Sequence, residues 1–220
     1  MQSIKYYRRQ FAVFAVLLST LSGCAKPAAT EEPVAIAAPS DYSPQLGDVL
    51  FQSLPRGPLI DAIEGATHSK YSHCGIVAPG AKGGWVVVEA NGSVKETPLD
   101  AWIAQGRENA YAVYRYDPRY ADKLPHVVAA ARKWLGKPYD MHYAFDDEAL
   151  YCSELIFKAF KSATGEECGK IVTLGDLDWK PHETVIRFLE RGGLPLEREM
   201  ITPIDLANAK QLKLVLNKGL

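Results

Sequence analysis

The sequence lacks both a surplus of positive charge and a long apolar run. Its 220 residues include 25 Lys and Arg against 26 Asp and Glu, which gives a formal net charge of −1. Proteins that hold nucleic acid by its phosphates need a basic surface, so we expect no nucleic-acid partner. The apolar run at residues 11–21 is too short to span a bilayer as a helix. The composition thus indicates neither a nucleic-acid-binding protein nor a membrane-spanning one.

The short apolar run is typical of a leader peptide. It follows three basic residues, Lys5, Arg8 and Arg9. It ends in Leu-Ser-Gly-Cys at residues 21–24, which resembles a lipobox. We predict that residues 1–23 are a lipoprotein signal peptide and that the Cys24 thiol carries a lipid; the alternative is a plain secretory signal. Removing three of the 25 basic residues leaves 22 against 26 acidic ones, a formal charge of −4.

A lipid anchor implies a place in the cell envelope. More than one acyl chain holds a protein stably at a bilayer surface. Ala25 stands where an Asp would resemble an inner-membrane retention signal, so we expect an outer-membrane location facing the periplasm. Residues 24–44 are rich in Ala, Pro, Glu and Thr, which predicts a flexible tether. Residues 45–220 are then one catalytic domain of ordinary size.

Cysteine is scarce, and its number is informative. Of the four cysteines, a lipidated Cys24 leaves three, namely Cys74, Cys152 and Cys168. An odd number in an oxidising compartment leaves at least one free thiol. The sequence therefore suggests that one cysteine is kept reduced for chemistry, although three inert buried thiols would also fit.

The order of the predicted elements indicates an α+β domain with an antiparallel sheet, because strands and helices are grouped rather than alternating. Apolar and β-branched runs predict strands at residues 47–51, 72–78, 85–90 and 111–116. Thr97 and Pro98 resemble a helix start, with Thr97 as its cap, and predict a short helix at 98–105. Further helices are expected near residues 59–64, 127–135 and 181–191, and the tail 203–216 predicts a short helix and a strand.

Cys152 is the best candidate for a nucleophile. It falls on one continuous apolar helix face, and Gly165 follows the last helical residue; the face comprises Cys152, Leu155, Ile156, Ala159 and Phe160. A helix N-terminus carries partial positive charge and free N–H groups, which favour a thiolate over a thiol. The same N–H groups could hold the oxyanion of a tetrahedral intermediate.

His73 and Glu89 are the best candidates for a base and its orienting carboxylate. A hairpin turn centred near residue 81 places His73 directly opposite Glu89, on the same face of the two strands. A slip of one residue would put the two side chains on opposite faces. Together with Cys152, the pair forms a candidate triad.

The remaining histidines and cysteines are weaker candidates. His142 is the second choice for the base because it is close to Cys152 in sequence. Cys74 and Cys168 are interpreted as structural residues or as a disulfide with each other. No His, Cys, Asp or Glu residues show a metal-ligand spacing, so we expect neither a metal nor another cofactor.

Several motifs resemble one enzyme family. Gly-Asp-Val-Leu-Phe at residues 47–51 and Ser-His-Cys-Gly-Ile-Val at 72–77 resemble elements of the NlpC-type papain-like cysteine hydrolases. Tyr-Cys-Ser-Glu-Leu-Ile at 151–156 comes after these strands, an order that resembles the circularly permuted, YiiX-like branch. Similar short elements occur at 139–140, 146–147 and 201–203. Cys74 departs from the pattern, since an apolar residue is commoner there.

The resemblance implies a permuted papain-like fold, in which a central antiparallel sheet or half-barrel packs against the helix that carries the catalytic cysteine. It also implies the triad Cys152, His73 and Glu89. The acidic residues before this helix can be explained by N-terminal helix stabilisation alone. The functional hypothesis is that Asp146 or Asp147 contacts a substrate amine, and Tyr151 is assigned to substrate binding with them.

Three functions compete at this point. The first is hydrolysis of an amide or peptide bond, with peptidoglycan-type peptides as the expected substrate. The second keeps the triad but acts on lipids, as an acyltransferase or lipase. The third is a non-catalytic module that binds the cell wall. A long apolar pocket at the cysteine would favour lipids, whereas a polar cleft lined by the acids would favour peptides.

Overall fold

The computed structural model describes residues 42–220. The predicted leader, the lipidation site at Cys24 and most of the tether lie outside these residues. Within the described range, no helix has the length and apolar character needed to cross a membrane.

The described chain forms eight strands and six α-helices. The strands are β1 (Val49–Gln52), β2 (His73–Pro79), β3 (Trp85–Asn91), β4 (Ser93–Pro98), β5 (Tyr111–Tyr116), β6 (Val172–Thr173), β7 (Glu199–Met200) and β8 (Leu212–Lys218). The helices are α1 (Pro58–Thr67), α2 (Leu99–Gln105), α3 (Leu124–Arg132), α4 (Cys152–Thr164), α5 (Glu183–Leu189) and α6 (Pro203–Ala207).

Six strands form one sheet in the order β4-β3-β2-β1-β5-β8, and every neighbouring pair is antiparallel. This confirms the expected α+β class. Alternate residues of each strand point to opposite faces. Phe51 and Ile76 lie in the core on the side of α3 and α4, whereas Leu50 and Val77 pack with Trp102 of α2. The sheet is therefore buried on both faces, and β2 lies near its centre.

The predicted cysteine helix is confirmed as α4. Its apolar stripe is buried against the sheet. The residue before it, Tyr151, is extended and accepts the first helical hydrogen bond, from the Leu155 N–H at 3.1 Å. Gly165 ends the helix with φ 77°, a left-handed conformation that glycine adopts without steric cost. The helix therefore begins at Cys152 and ends where the sequence indicated.

The expected role of Thr97 as a helix cap is wrong. Thr97 lies in β4, an edge strand opposite β3, and α2 begins after Pro98. The segment Ser93–Pro98 has few apolar residues because one face of an edge strand meets water, and proline is tolerated at such an edge. The sequence pattern for β4 was therefore too weak to predict it. The other predicted strands and helices are present, with shifts of a few residues at their ends.

Candidate active site

The start of α4 places Cys152 at the junction of the core and a solvent-open pocket. The residue is 3% exposed and borders this pocket. Its thiol is free, as are those of Cys74 and Cys168. The first-turn N–H groups have no carbonyl partner within the helix, so they favour negative charge on or beside the sulfur.

His73 and Glu89 are joined by a direct contact, but in a different register from the one predicted. The hairpin pairs Glu89 with Gly75, two residues further along than expected. A register shift of two residues leaves both side chains on the same face of the sheet. His73 and Glu89 are therefore diagonal neighbours rather than directly opposed residues. The His73 Nε2 atom lies 2.6 Å from Glu89 Oε2. The predicted pair is therefore present, and the predicted register is wrong.

Gly75 allows this diagonal contact. It lies between the two partners, directly opposite Glu89 and on the same face as His73. A Cβ atom at this position would lie 2.3 Å from Val87 Cγ1 and 3.4 Å from Glu89 Cβ. A larger residue would therefore push against the strand that carries Glu89. This explains why glycine stands two residues after the histidine.

The carboxylate of Glu89 is fully buried and held by three donors. Besides His73, the Thr97 hydroxyl and the Gln105 amide donate to it, the latter at 3.1 Å. Trp102 stacks on the His73 ring with centroids 5.9 Å apart. Thr97, Trp102 and Gln105 were not predicted as site residues, because strand β4 and helix α2 meet β3 only in the tertiary structure.

The electrostatics favour a thiolate–imidazolium pair. Burial disfavours charge on both groups, but mutual hydrogen bonding outweighs it. The pKa of His73 is raised to about 9 because its bonds to Cys152 and Glu89 exceed the lowering effect of burial. Bonds from Cys74 and His73 hold the pKa of the Cys152 thiol well below its usual range. Glu89 Oε2 engages Nε2 of His73, so Nδ1 is the nitrogen left for the sulfur.

Cys74 also belongs to the site, which the sequence did not indicate. Its side chain points away from the His73 face, as strand alternation requires, and lies in the α4 core cluster. There both its thiol and its backbone N–H donate to the sulfur of Cys152. The strand alternation that separates Cys74 from His73 therefore brings it to the nucleophile.

The three residues assigned to substrate binding are engaged with the protein itself. Asp147 pairs with Lys158 at 2.7 Å, and the Asp146 carboxylate accepts from the Glu148 N–H at 2.8 Å. The Tyr151 hydroxyl accepts from the Ile201 N–H at 3.0 Å, although the residue borders the pocket. Recognition of an amine by Asp146 or Asp147 stays a prediction, and the positive charge of Lys158 already offsets the negative charge of Asp147.

His142, the second choice for the base, lies at the pocket rim rather than beside the sulfur. Its Nδ1 atom is 3.6 Å from Glu190 Oε2, and its side chain is half exposed. Arg198 donates to the same Glu190 carboxylate at 3.0 Å. His142 therefore interacts with Glu190 and Arg198 rather than with Cys152. His73 is the histidine that interacts with the Cys152 sulfur.

The pocket beside Cys152 is mainly apolar. It has an empty volume of about 820 Å³, part of which is open to solvent. Helices α1 and α5 provide two of its walls. Its apolar lining includes Leu59, Ile63, Leu177, Ile186, Leu189 and Met200. The hydroxyls of Tyr139 and Tyr143, which also line it, are 3.2 Å apart.

Comparison with known proteins identifies the family. Residues 43–216 match the family described as "Permuted papain-like amidase enzyme, YaeF/YiiX, C92 family". The chain belongs to this family of permuted papain-like amidases. It is 35% identical over 177 residues to the uncharacterized protein YiiX of Escherichia coli K12, covering 79% of this chain and 87% of that protein. Membership makes the chain a cysteine amidase or peptidase and confirms the predicted permuted papain-like fold.

A solved structure of a relative has the same fold. The crystal structure of YiiX from Escherichia coli O157:H7 matches with a TM-score of 0.75 at 34% identity, covering 80% of this chain and 99% of that one. That protein is described as a metalloprotein. In residues 42–220 of the present amidase, no group of three or more His, Cys, Asp or Glu is placed to hold a metal ion. These residues do not fit a metal centre.

Proposed function

We propose that Cys152, His73 and Glu89 are the catalytic triad of this amidase and that it cleaves an amide bond through an acyl-enzyme. The observation that carries the proposal is the hydrogen-bonded chain from Glu89 through His73 to the sulfur at the start of α4. A nucleophile, a base and an orienting carboxylate in contact are the elements that covalent catalysis of acyl transfer needs.

Each member has a defined role. The Cys152 thiolate attacks the carbonyl carbon, and N–H groups at the start of α4 bind the oxygen that becomes negative. The His73 imidazolium gives its proton to the leaving amine as the carbon–nitrogen bond breaks. Neutral His73 then takes a proton from water, which attacks the thioester and releases the acid and the thiolate. Glu89 stabilises the imidazolium and fixes the ring.

The pocket favours a substrate with an aliphatic acyl group. It begins at Cys152, so a chain attached to the scissile carbonyl can enter it directly. Burial of each methylene group contributes about 0.8 kcal/mol. A polar cleft lined by acids would have favoured wall peptides, but Asp147 is paired with Lys158. We therefore place an N-acyl amide first and a peptidoglycan peptide second.

Incubation with two substrate sets tests this order. Purified protein and the Cys152→Ala variant are given N-acyl 4-nitroanilides of increasing chain length and, separately, muropeptides. We expect Cys152-dependent release that rises about fourfold in kcat/KM per added methylene until the pocket is filled. Cleavage of muropeptides, together with nitroanilide rates that do not depend on acyl length, would reject the aliphatic substrate. The proposed triad would still stand in that case. No Cys152-dependent product from either set would count against both.

A pair of variants on α1 tests the pocket directly. Ile63 lines the pocket, whereas Ile60, three residues earlier on the same helix, does not. Ile63→Trp should fill the space and lower kcat/KM for the longest acyl chains while leaving the acetyl compound unaffected. Ile60→Trp is the matched control and should leave both unchanged. An equal loss for short and long chains in Ile63→Trp would mean that the pocket does not hold the acyl group.

We also propose that a lipid on Cys24 holds the domain at the outer membrane. The support is the leader sequence alone. Metabolic labelling with an alkyne fatty acid should mark the wild type but not Cys24→Ala, and fractionation should move the variant from the membrane to the soluble periplasm. Unchanged labelling of Cys24→Ala would reject the anchor.

A further inference from the structure

Cys74 contacts the nucleophile, yet the amidase mechanism does not require a second thiol. Both side chains are buried in the core on the side of the sheet that packs against α3 and α4. The thiol and the backbone N–H of Cys74 donate to the sulfur of Cys152. Two free, buried thiols therefore influence each other at the active site.

The fold places the two residues on elements that pack against each other. A disulfide needs side chains that face each other across a short gap. Cys74 is the second residue of β2, a central strand, and Cys152 is the first residue of the helix packed on it.

The third described cysteine is in a different environment. Cys168 lies in contact with Tyr116, and burial raises its pKa to about 12. Of the three cysteines within residues 42–220, Cys152 alone lines the pocket through which a small oxidant can enter. Oxidation should therefore begin at Cys152, because thiolate character and access decide which thiol reacts.

We propose that Cys74 is a resolving thiol that converts oxidised Cys152 into a reversible Cys74–Cys152 disulfide. In the first step the Cys152 thiolate attacks a peroxide oxygen, the O–O bond breaks, and sulfur is oxidised to a sulfenic acid. The other oxygen takes the proton of the His73 imidazolium and leaves as water. In the second step Cys74 attacks the oxidised sulfur and the S–O bond breaks. The hydroxide takes the Cys74 proton and leaves as a second water.

The conversion of Cys152 to a neutral sulfenic acid favours the second step. The thiolate of Cys152 raises the pKa of Cys74, together with burial, which is the larger cause. Loss of that negative charge removes the influence of Cys152, and burial and the charge of Glu89 are left to keep Cys74 protonated. The resulting disulfide blocks the nucleophile, protects it from irreversible oxidation, and returns both thiols on reduction.

Mass spectrometry after peroxide treatment tests the proposal without a substrate. Wild type, Cys74→Val and the matched control Cys168→Val are exposed to hydrogen peroxide, alkylated, and digested. We expect wild type and Cys168→Val to lose two hydrogen atoms and to yield one cross-linked peptide containing residues 74 and 152, reversed by dithiothreitol. Cys74→Val should instead gain two or three oxygens at Cys152 that dithiothreitol does not remove.

The wild-type result decides the proposal even if Cys74→Val does not fold. Addition of oxygens to wild-type Cys152 without a cross-link would overturn it, as would a cross-link that involves Cys168. The proposal rests on the reactive thiolate of the proposed function, but the two can fail separately. An amidase whose activity depends on Cys152 and which forms no disulfide would reject only the resolving role of Cys74.

Discussion

Replacement of Glu89 by glutamine should weaken the thiolate–imidazolium pair without changing the shape of the site. Glu89 is fully buried, and its Oε2 atom is 2.6 Å from His73 Nε2. Glutamine keeps the volume of the side chain. The hydrogen bonds from Thr97 and Gln105 would then be made to a neutral amide rather than to a carboxylate. The negative charge that favours the imidazolium is lost. The thiol of Cys152 should then return towards its ordinary pKa.

The size of the effect follows from the pKa of His73. It is raised from 6.5 to about 9, against the lowering effect of burial, by Cys152 and Glu89. One pKa unit corresponds to about 1.4 kcal/mol, so the surroundings favour the imidazolium by about 3 kcal/mol. Cys152 supplies the larger share of this stabilisation and Glu89 the smaller, so loss of the Glu89 charge should remove on the order of 1.4 kcal/mol and lower the thiolate fraction at pH 6 by about tenfold.

Alkylation by iodoacetamide measures that fraction without a substrate. The rate at Cys152 is followed by mass spectrometry from pH 5 to pH 9. Wild type should react quickly across the whole range, whereas Glu89→Gln should lose about tenfold at pH 6 and recover above pH 8. Thr97→Val, which keeps the charge and loses one hydrogen bond to it, should lose about threefold.

Glu96 provides a matched control for the same chemical change. It lies on β4, beside Thr97, and pairs with Arg132 at 2.7 Å rather than with His73. Glu96→Gln should alkylate like wild type at every pH. A Glu89→Gln protein within about threefold of wild type at pH 6 would refute the orienting role.

Three further predictions concern pH and stability. Turnover should fall as the pH rises through about 9, when His73 loses the proton that the leaving amine needs, while alkylation does not fall; a profile that is flat to pH 10 would contradict this. Asp48→Asn should lower the free energy of unfolding, measured with urea, by about 3 kcal/mol, because Arg115 donates to the buried Asp48 carboxylate at 2.7 and 2.9 Å. A decrease under about 1 kcal/mol would argue against a stabilising role of this ion pair. Burial raises the pKa of Glu154 from 4.5 to about 7 despite Lys158, so its stabilising contribution is complete below pH 4.5 and lost as the pH rises to 7. The unfolding free energy of wild type should therefore fall relative to Glu154→Gln by up to about 3 kcal/mol from pH 4 to pH 8, and parallel pH curves would exclude this linkage.

Local patterns were enough to predict most of the fold and the residues of the proposed triad. Helix periodicity located α4 and put Cys152 at its start, because the apolar stripe had to face the sheet. Strand parity placed His73 and Glu89 on one face, and parity survives a register shift of two residues. For this reason the wrong register still predicted the right pair.

Features that depend on distant packing were not predictable in the same way. Strand β4 is an edge strand with a weak pattern, so Thr97 was expected to cap a helix, whereas it donates to Glu89. Lys158 lies eleven residues after Asp147 in sequence, and only the fold of the loop before α4 brings their charges together. Local sequence contains no signal for such contacts.

The sequence by itself determined which residues could act: a cysteine at a helix start and a His–Glu pair on one strand face. Its motif order also determined the family, since the cysteine follows the strands. Only the tertiary structure decided what surrounds them. The apolar pocket at Cys152 and the contact with Cys74 arise where α1, α4, α5 and β2 pack together. Periodicity fixes the face a side chain points to, but packing of separate elements decides what it meets there.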